Sequence, residues 1–265
     1  MTDTGIPAET ALHGAIDGLY DAFAHHRRPG SFLGCACCWV GEPTERDDGQ
    51  VVVVAPGGDR PLRELAPDEL GAIAAEVPLT GGTVELLQHY LPRLLEIAVG
   101  EGFDGPDREI VFGRLSYGEQ PWTAWPDAEQ DAVRRFLQAF WQQRLATDPG
   151  ETAGYDDPAG DALCAIGLVD AEIDGYLATW LRFDEPAAGV LLERFLMTNA
   201  LGLRRGRLAD AHWATDVAPA PANRERVVAW VRSPATRDAV AAAAERARTP
   251  AERAALEESR LRWLA

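Results

Sequence analysis

The chain has 265 residues, a length that allows one large domain or two small ones. It carries 42 acidic residues against 25 basic residues, which gives a formal net charge of −17. A negative surplus of this size repels phosphate backbones and anionic lipids, so we expect neither a nucleic-acid nor a membrane partner. Lysine is absent, as in proteins encoded by GC-rich bacterial genomes, and chemistry that needs a lysine is excluded.

We expect neither a secretory signal at the N-terminus nor a membrane span. No stretch approaches the roughly 18 uncharged apolar residues of a membrane span, and the first residues have no basic and apolar regions typical of a secretory signal. We therefore expect a soluble, cytoplasmic protein with an unknown protein partner. In a reducing compartment, clustered cysteines indicate metal binding, reactivity or burial more often than disulfides.

Apolar residues recur with a helical period along most of the chain. The first predicted helix covers 8–26, and the break at Pro29-Gly30 ends it. Residues 31–61 are the least regular part of the chain, and the run Val51-Val52-Val53-Val54 predicts one short strand that pairs locally or stays extended.

Further helices are predicted in two groups. The first group covers 67–76, 83–99, 108–115 and a helix from Asp127 to about residue 145, with Thr83 as an N-cap. The second group covers 161–183, 186–201, 207–215, 222–231, 233–248 and 249–264. The fold class is therefore all-α, an arrangement of stacked helical hairpins similar to an α–α superhelix, with at most one short strand.

The composition of residues 148–160 is typical of a linker, because this stretch is rich in Asp, Gly and Pro and has no periodic apolar pattern. We therefore predict an N-terminal helical region over 1–147, which holds the cysteine cluster, and a C-terminal helical region over 161–265. One continuous domain is the alternative.

Cys35 and Cys38 form a Cys-x-x-Cys pair, a spacing at which two thiolates reach one tetrahedral zinc ion. A complete site needs two further ligands, and no second Cys-x-x-Cys or finger-spaced histidine follows. His89 is the first choice for a third ligand, and His25 and His26 are nearer in sequence. Burial of both thiols in a turn, or thiol redox chemistry, are the alternatives.

Three other motifs contain residue types that are common in binding or catalytic sites. His89, Arg93 and Glu96 share one helix face, suited to anion binding or acid–base work but more typical of a hydrogen-bonded surface. The Gly-x-Gly-x-x-Gly string at 100–105 lacks the strand and helix of a dinucleotide site and indicates a helix C-cap. Trp122 and Trp125 favour a loop anchored on the core over a ligand groove.

The motifs Arg28-Pro29, Gly34-Cys35 with Cys38, the string His89 to Arg93, and Trp125-Pro126 occur in that order. In this order the chain resembles an uncharacterised bacterial family of helical proteins with a Gly-Cys-x-x-Cys motif and a later His-Phe-Leu-Pro-Arg-like helix. The resemblance implies that Cys35, Cys38 and His89 belong to one recurring set, but it implies no reaction. Tyr90 in place of Phe, the extra Cys37 and the valine-rich stretch depart from the family pattern.

No recognised catalytic motif is present, which favours a protein that is not an enzyme. We expect a protein–protein interaction or scaffold module, because packed helices present long surfaces. The first alternative is a zinc-binding protein that uses Cys35, Cys38 and His89. The second alternative is a thiol-dependent oxidoreductase.

Overall fold

The computed structural model describes residues 7–39, 46–47, 49–118, 120–147, 157–183, 186–246 and 249–263. Helices dominate these ranges, which confirms the all-α class. They are α1 (Ala8–Phe23), α2 (Pro67–Glu76), α3 (Val84–Val99), α4 (Arg108–Gly113), α5 (Asp127–Ala146), α6 (Pro158–Gly167), α7 (Ile173–Arg182), α8 (Pro186–Leu203), α9 (Ala220–Val231), α10 (Pro234–Arg246) and α11 (Pro250–Trp263). No helix in the described ranges is long and apolar enough to cross a membrane.

A small antiparallel sheet lies between α1 and α2 in the chain. Its strands are β1 (Ser31–Cys35), β2 (Arg46–Asp47) and β3 (Gln50–Val54), in the order β1-β3-β2. The predicted valine strand is β3, and it pairs locally, with Leu33 opposite Val52 and Cys35 opposite Gln50. Because side chains alternate along a strand, Leu33 and Cys35 lie on the same face of the sheet.

Local sequence signals set most helix ends. Five helices, α2, α6, α8, α10 and α11, begin with proline, whose missing N–H is not needed in the first turn. The predicted N-cap of α3 is confirmed, because Thr83 Oγ1 accepts a hydrogen bond from the Leu86 N–H at 3.3 Å. Helix α3 then continues through Pro92 to Val99.

Two predicted helices differ from the structure. The helix predicted at 161–183 is divided into α6 and α7, because Asp170 Oδ1 accepts from the Glu172 N–H at 3.0 Å and forms a turn. Asp170 Oδ2 also accepts from the Tyr176 hydroxyl at 2.7 Å, which fixes the start of α7 against that turn. The helix predicted at 207–215 is only the 3₁₀ turn Ala211–Ala214.

The chain divides into two compact units. One unit is Thr10–Leu137, and the other is formed by Met1–Glu9 and Gln138–Ala265. Residues 148–156 of the predicted linker lie outside the described residues. The remaining four, 157–160, cap and begin α6. The domain boundary predicted there stays a prediction.

Each unit has its own aromatic core. In Thr10–Leu137, Phe112 packs against Phe136 with ring centroids 5.9 Å apart, and Trp122 and Trp125 are buried. The tryptophans therefore anchor their loop on the core, as predicted. In the other unit the Trp180 ring contacts other buried rings, among them Trp141 at 5.3 Å and Phe195 at 5.5 Å.

Asn223 of α9 joins the end of α6 to the following turn. Its fully buried Nδ2 group donates to the Gly167 carbonyl at 2.8 Å and to the Asp170 carbonyl at 2.7 Å. When a buried carbonyl loses its hydrogen-bond donor, the free energy of its desolvation is no longer compensated. One side chain thus satisfies two backbone acceptors where the helix ends.

We expect Asn223→Ala to lower the free energy of unfolding by about 2–4 kcal/mol, because two buried carbonyls lose their donor. Urea unfolding followed by circular dichroism measures the change. The matched control is Arg226→Ala on the same helix, whose exposed guanidinium donates to the Ala171 carbonyl. Water replaces that bond, so a loss below about 1 kcal/mol is expected for the control. Equal losses in the two variants would contradict this role of Asn223.

Candidate functional site

The cysteine cluster is formed by Cys35, Cys37 and Cys38, at the end of β1. Immediately after Cys35 the chain turns back, so that the N–H groups of Cys38 and Trp39 both donate to the Cys35 carbonyl, at 3.1 and 3.0 Å. The turn brings the three Sγ atoms within 4.8 Å of one another, and the Cys37 and Cys38 Sγ atoms are 3.5 Å apart. The predicted Cys35–Cys38 pair therefore forms a group with Cys37, the thiol that the Cys-x-x-Cys spacing leaves out.

A close approach of two backbone segments supports this turn. Cys35 N–H donates to the Thr80 carbonyl at 2.7 Å, and Gly34 forms a bridge with Gly81. A Cβ atom on Gly34 would lie 2.4 Å from the Trp39 ring, and one on Gly81 would lie 2.7 Å from the Gly34 Cα atom. Glycine is therefore required at both positions. Gly81 and Trp39 are structural residues of the site that the sequence did not reveal.

Hydrogen bonds among the three thiols shift the pKa values of Cys35 and Cys37 in opposite directions. Cys35 accepts hydrogen bonds from Cys37 and then from Cys38, which lowers its pKa below the ordinary value of 9.0. Donation to Cys35 and Cys38 raises the pKa of Cys37 to about 11. Cys35 therefore ionises before Cys37. A thiolate is both the nucleophilic form of cysteine and its metal-binding form.

Exposure makes the cluster accessible to a reactant or a metal ion. Cys37 is exposed and Cys35 and Cys38 are half-buried, and all three are free thiols. The fourth cysteine, Cys164, is buried in α6 in the other unit. The cluster is therefore able to ligate a soft metal ion or to carry thiol chemistry, whereas Cys164 is a core residue.

His89 lies on α3 and is half-buried. Its Nδ1 atom donates to the carbonyl of His26 at 2.9 Å, and burial lowers its pKa. Among the described residues, no group of three ligand atoms within 4.8 Å joins His89 to the cysteines. Its assignment as a metal ligand stays a prediction.

The other motifs take structural roles. Arg93 donates to Glu96 at 3.0 Å and to the Leu65 carbonyl at 2.9 Å, so this face of α3 is hydrogen-bonded, as we expected for a surface of this kind. Residues 100–105 follow the end of α3, and Gly100 N–H donates to the Glu96 carbonyl at 3.1 Å. This confirms the helix C-cap that the glycine string predicts.

A cavity of about 280 Å³ in the unit that contains α6 has a carboxyl group in its wall. Burial raises the pKa of Asp157, in this wall, to about 7. Both oxygens serve the fold, because Oδ1 accepts from the Gly160 N–H at 2.8 Å and Oδ2 accepts from Asn199 Nδ2 at 3.4 Å. We therefore assign Asp157 to the capping of α6.

Comparison with protein-family models, with curated protein sequences and with solved structures found no match to this chain.

We expect iodoacetamide at pH 8 to alkylate Cys35 before Cys37. The lowered pKa keeps more of Cys35 as thiolate at this pH, whereas Cys37, with a pKa of about 11, stays protonated. Exposure alone would give the opposite order, because Cys37 is the more exposed thiol. Peptide mass spectrometry after timed quenching measures both rates.

The variant Cys38→Ala removes one donor to Cys35, so its pKa should rise and its alkylation at pH 8 should slow. Cys164→Ala is the control and should leave the rate unchanged. Faster alkylation of Cys37 than of Cys35 in the wild-type chain would refute the assigned order of acidities.

Proposed function

We propose that the protein binds a zinc ion through Cys35, Cys37 and Cys38. The observation that carries the proposal is the convergence of three Sγ atoms within 4.8 Å of one another. Of the functions expected from the sequence, zinc binding has the most specific support. We add Cys37 to the predicted ligands Cys35 and Cys38.

The distances between the sulfurs suit tetrahedral zinc. Zn–S bonds of about 2.3 Å place two sulfur ligands about 3.8 Å apart. Cys37 and Cys38 are already 3.5 Å apart. All three Sγ atoms lie within 4.8 Å of one another, so no pair exceeds the separation in a zinc site by more than about 1 Å.

Electrostatics also favour a bound cation. The hydrogen bonds that lower the pKa of Cys35 show that the cluster stabilises one thiolate before any metal arrives. A metal ion then displaces the protons of the other two thiols, as zinc does when cysteines bind it. The net charge of −17 adds a long-range attraction for cations.

Three thiolates leave one position of a zinc tetrahedron for a fourth ligand. Water occupies that position readily at an exposed site. His89 is the protein ligand we propose as the alternative, in line with the family resemblance. Its lowered pKa keeps the ring neutral at pH 7, and its Nδ1–H bond to His26 leaves Nε2 as the ligating nitrogen.

We expect gently purified wild-type protein to contain about one zinc ion per chain, as for a structural thiolate site. Cys35→Ser and Cys38→Ser should each reduce the zinc content strongly. If Cys37 is a ligand, Cys37→Ser should lower the zinc content. If His89 is the fourth ligand, His89→Gln should lower it as well. The zinc content of each variant is measured by elemental analysis, with Cys164→Ser as the matched control.

A wild-type content below about 0.2 zinc per chain, with no uptake of added zinc, would exclude the proposal. If the same protein forms a disulfide on mild oxidation, the thiol oxidoreductase becomes the favoured function. Zinc loss in the Cys164→Ser control would show that the variants act through folding instead of ligation.

We also propose that the exposed face of the sheet is an interaction surface for a protein partner. Leu33 is 54% exposed and Val54 is 67% exposed, and both lie on the face of the sheet that carries Cys35. Large apolar side chains exposed on one face are typical of protein contacts. This feature supports the interaction module expected from the sequence.

A photo-reactive amino acid placed at Val54 tests this second function in cells. We expect it to crosslink one discrete protein, identified by mass spectrometry, because the surface is apolar and accessible. The same probe at exposed Ala235 of α10 is the control and should not capture that protein. Identical products from the two positions would count against a specific surface.

A further inference from the structure

A second cluster of ligand atoms lies at the end of α1, and is formed by His25, His26 and Glu129. His26 Nε2 is 2.9 Å from Glu129 Oε1, and His25 Nε2 is 3.2 Å from the same oxygen. The two imidazole rings have centroids 4.1 Å apart. Two histidines thus converge on one carboxylate oxygen.

The chain has to leave its helix for this convergence to occur. Neighbouring residues of an α-helix point about 100° apart, so adjacent histidines within a helix do not share a target. Helix α1 ends at Phe23, and the His26 N–H donates to the Phe23 carbonyl at 3.1 Å in the turn that follows. This turn directs both rings to Glu129.

Hydrogen bonding fixes the tautomer of His25. Its Nδ1 atom is 3.1 Å from the Ala22 carbonyl, which can only accept, so Nδ1 carries a proton. Nε2, 3.2 Å from Glu129 Oε1, is therefore the ring nitrogen that is available to a metal ion.

The outer contacts hold the carboxylate and one histidine in place. Gln88 Nε2 donates to Glu129 Oε2 at 3.0 Å, which leaves Oε1 for the histidines. His89 Nδ1 donates to the carbonyl of His26 at 2.9 Å. The side chain of Glu129 is 1% exposed and that of His25 is 62% exposed, so the carboxylate is buried and one histidine is open to solvent. Such supporting hydrogen bonds are typical of metal ligands.

We propose that His25 Nε2, His26 Nε2 and Glu129 bind a divalent first-row transition-metal ion. Bonds of about 2.1 Å place neighbouring nitrogen and oxygen ligands about 3.0–3.4 Å apart, and the distances of 2.9 and 3.2 Å are near that range. Two histidines and one carboxylate bind zinc or iron while leaving positions open to water.

This site shares no ligand with the cysteine cluster, and the test separates the two. In the variant Cys35→Ser/Cys37→Ser/Cys38→Ser, titration with Co²⁺ alone should show one equivalent bound. The bound ion should give visible bands of nitrogen and oxygen ligation without thiolate charge-transfer bands. Failure of zinc binding at the cysteines has no effect on this result.

His25→Ala in the same background should weaken Co²⁺ binding at least about tenfold, because one of three protein ligands is lost. His25 is mostly exposed, so this change does not threaten folding as Glu129→Gln does. His13→Ala, at an exposed position of α1, is the matched control and should bind as before.

Absence of stoichiometric Co²⁺ binding would overturn the proposal and leave a protonated histidine as the partner of Glu129. Binding that is unchanged by His25→Ala would overturn it as well, because the ion would then lie elsewhere. Retained helical circular dichroism in each variant shows that the chain is folded when the measurement is made.

Discussion

The hydrogen-bonded contact between β1 and residues 80–82 is the constraint on which both ligand clusters depend. Cys35 N–H donates to the Thr80 carbonyl at 2.7 Å, and Gly82 N–H donates to the Leu33 carbonyl at 2.9 Å. Since Gly34 and Gly81 leave no space for a Cβ atom, the two segments approach as closely as backbones can. The next residue, Thr83, caps α3, so the strand that ends in the thiols is fixed to the start of that helix.

Helix α3 also positions the histidine cluster. One turn after its cap, Gln88 holds Glu129 and His89 holds the backbone of His26. The first half of α3 is therefore the common support of two groups of ligand atoms that come from β1, the end of α1 and the start of α5. The leucines of this helix are buried, which makes it a rigid support.

The two clusters differ in chemistry although they share this support. The cysteines offer polarizable thiolates on an exposed turn, which suits soft ions and thiol reactions. The histidines and Glu129 offer nitrogen and oxygen around a buried carboxylate, which suits borderline divalent ions. Apolar side chains exposed beside the cysteines add a surface for a partner next to a reactive group. A protein with no recognised catalytic motif thus still has two groups of side chains whose ligand atoms are close enough to hold a metal ion.

The sequence by itself determined the all-α class, most helix limits and the cysteine pair. These features depend on local rules: apolar spacing, first-turn prolines, the Thr83 cap and the spacing of Cys35 and Cys38. The division between α6 and α7 escaped those rules because Asp170 needs Tyr176 to stabilise its turn. Only the tertiary structure decided which groups meet. Glu129 is 103 residues from His26, and the glycines that hold the thiol turn are 47 residues apart in the chain, so no local pattern relates them.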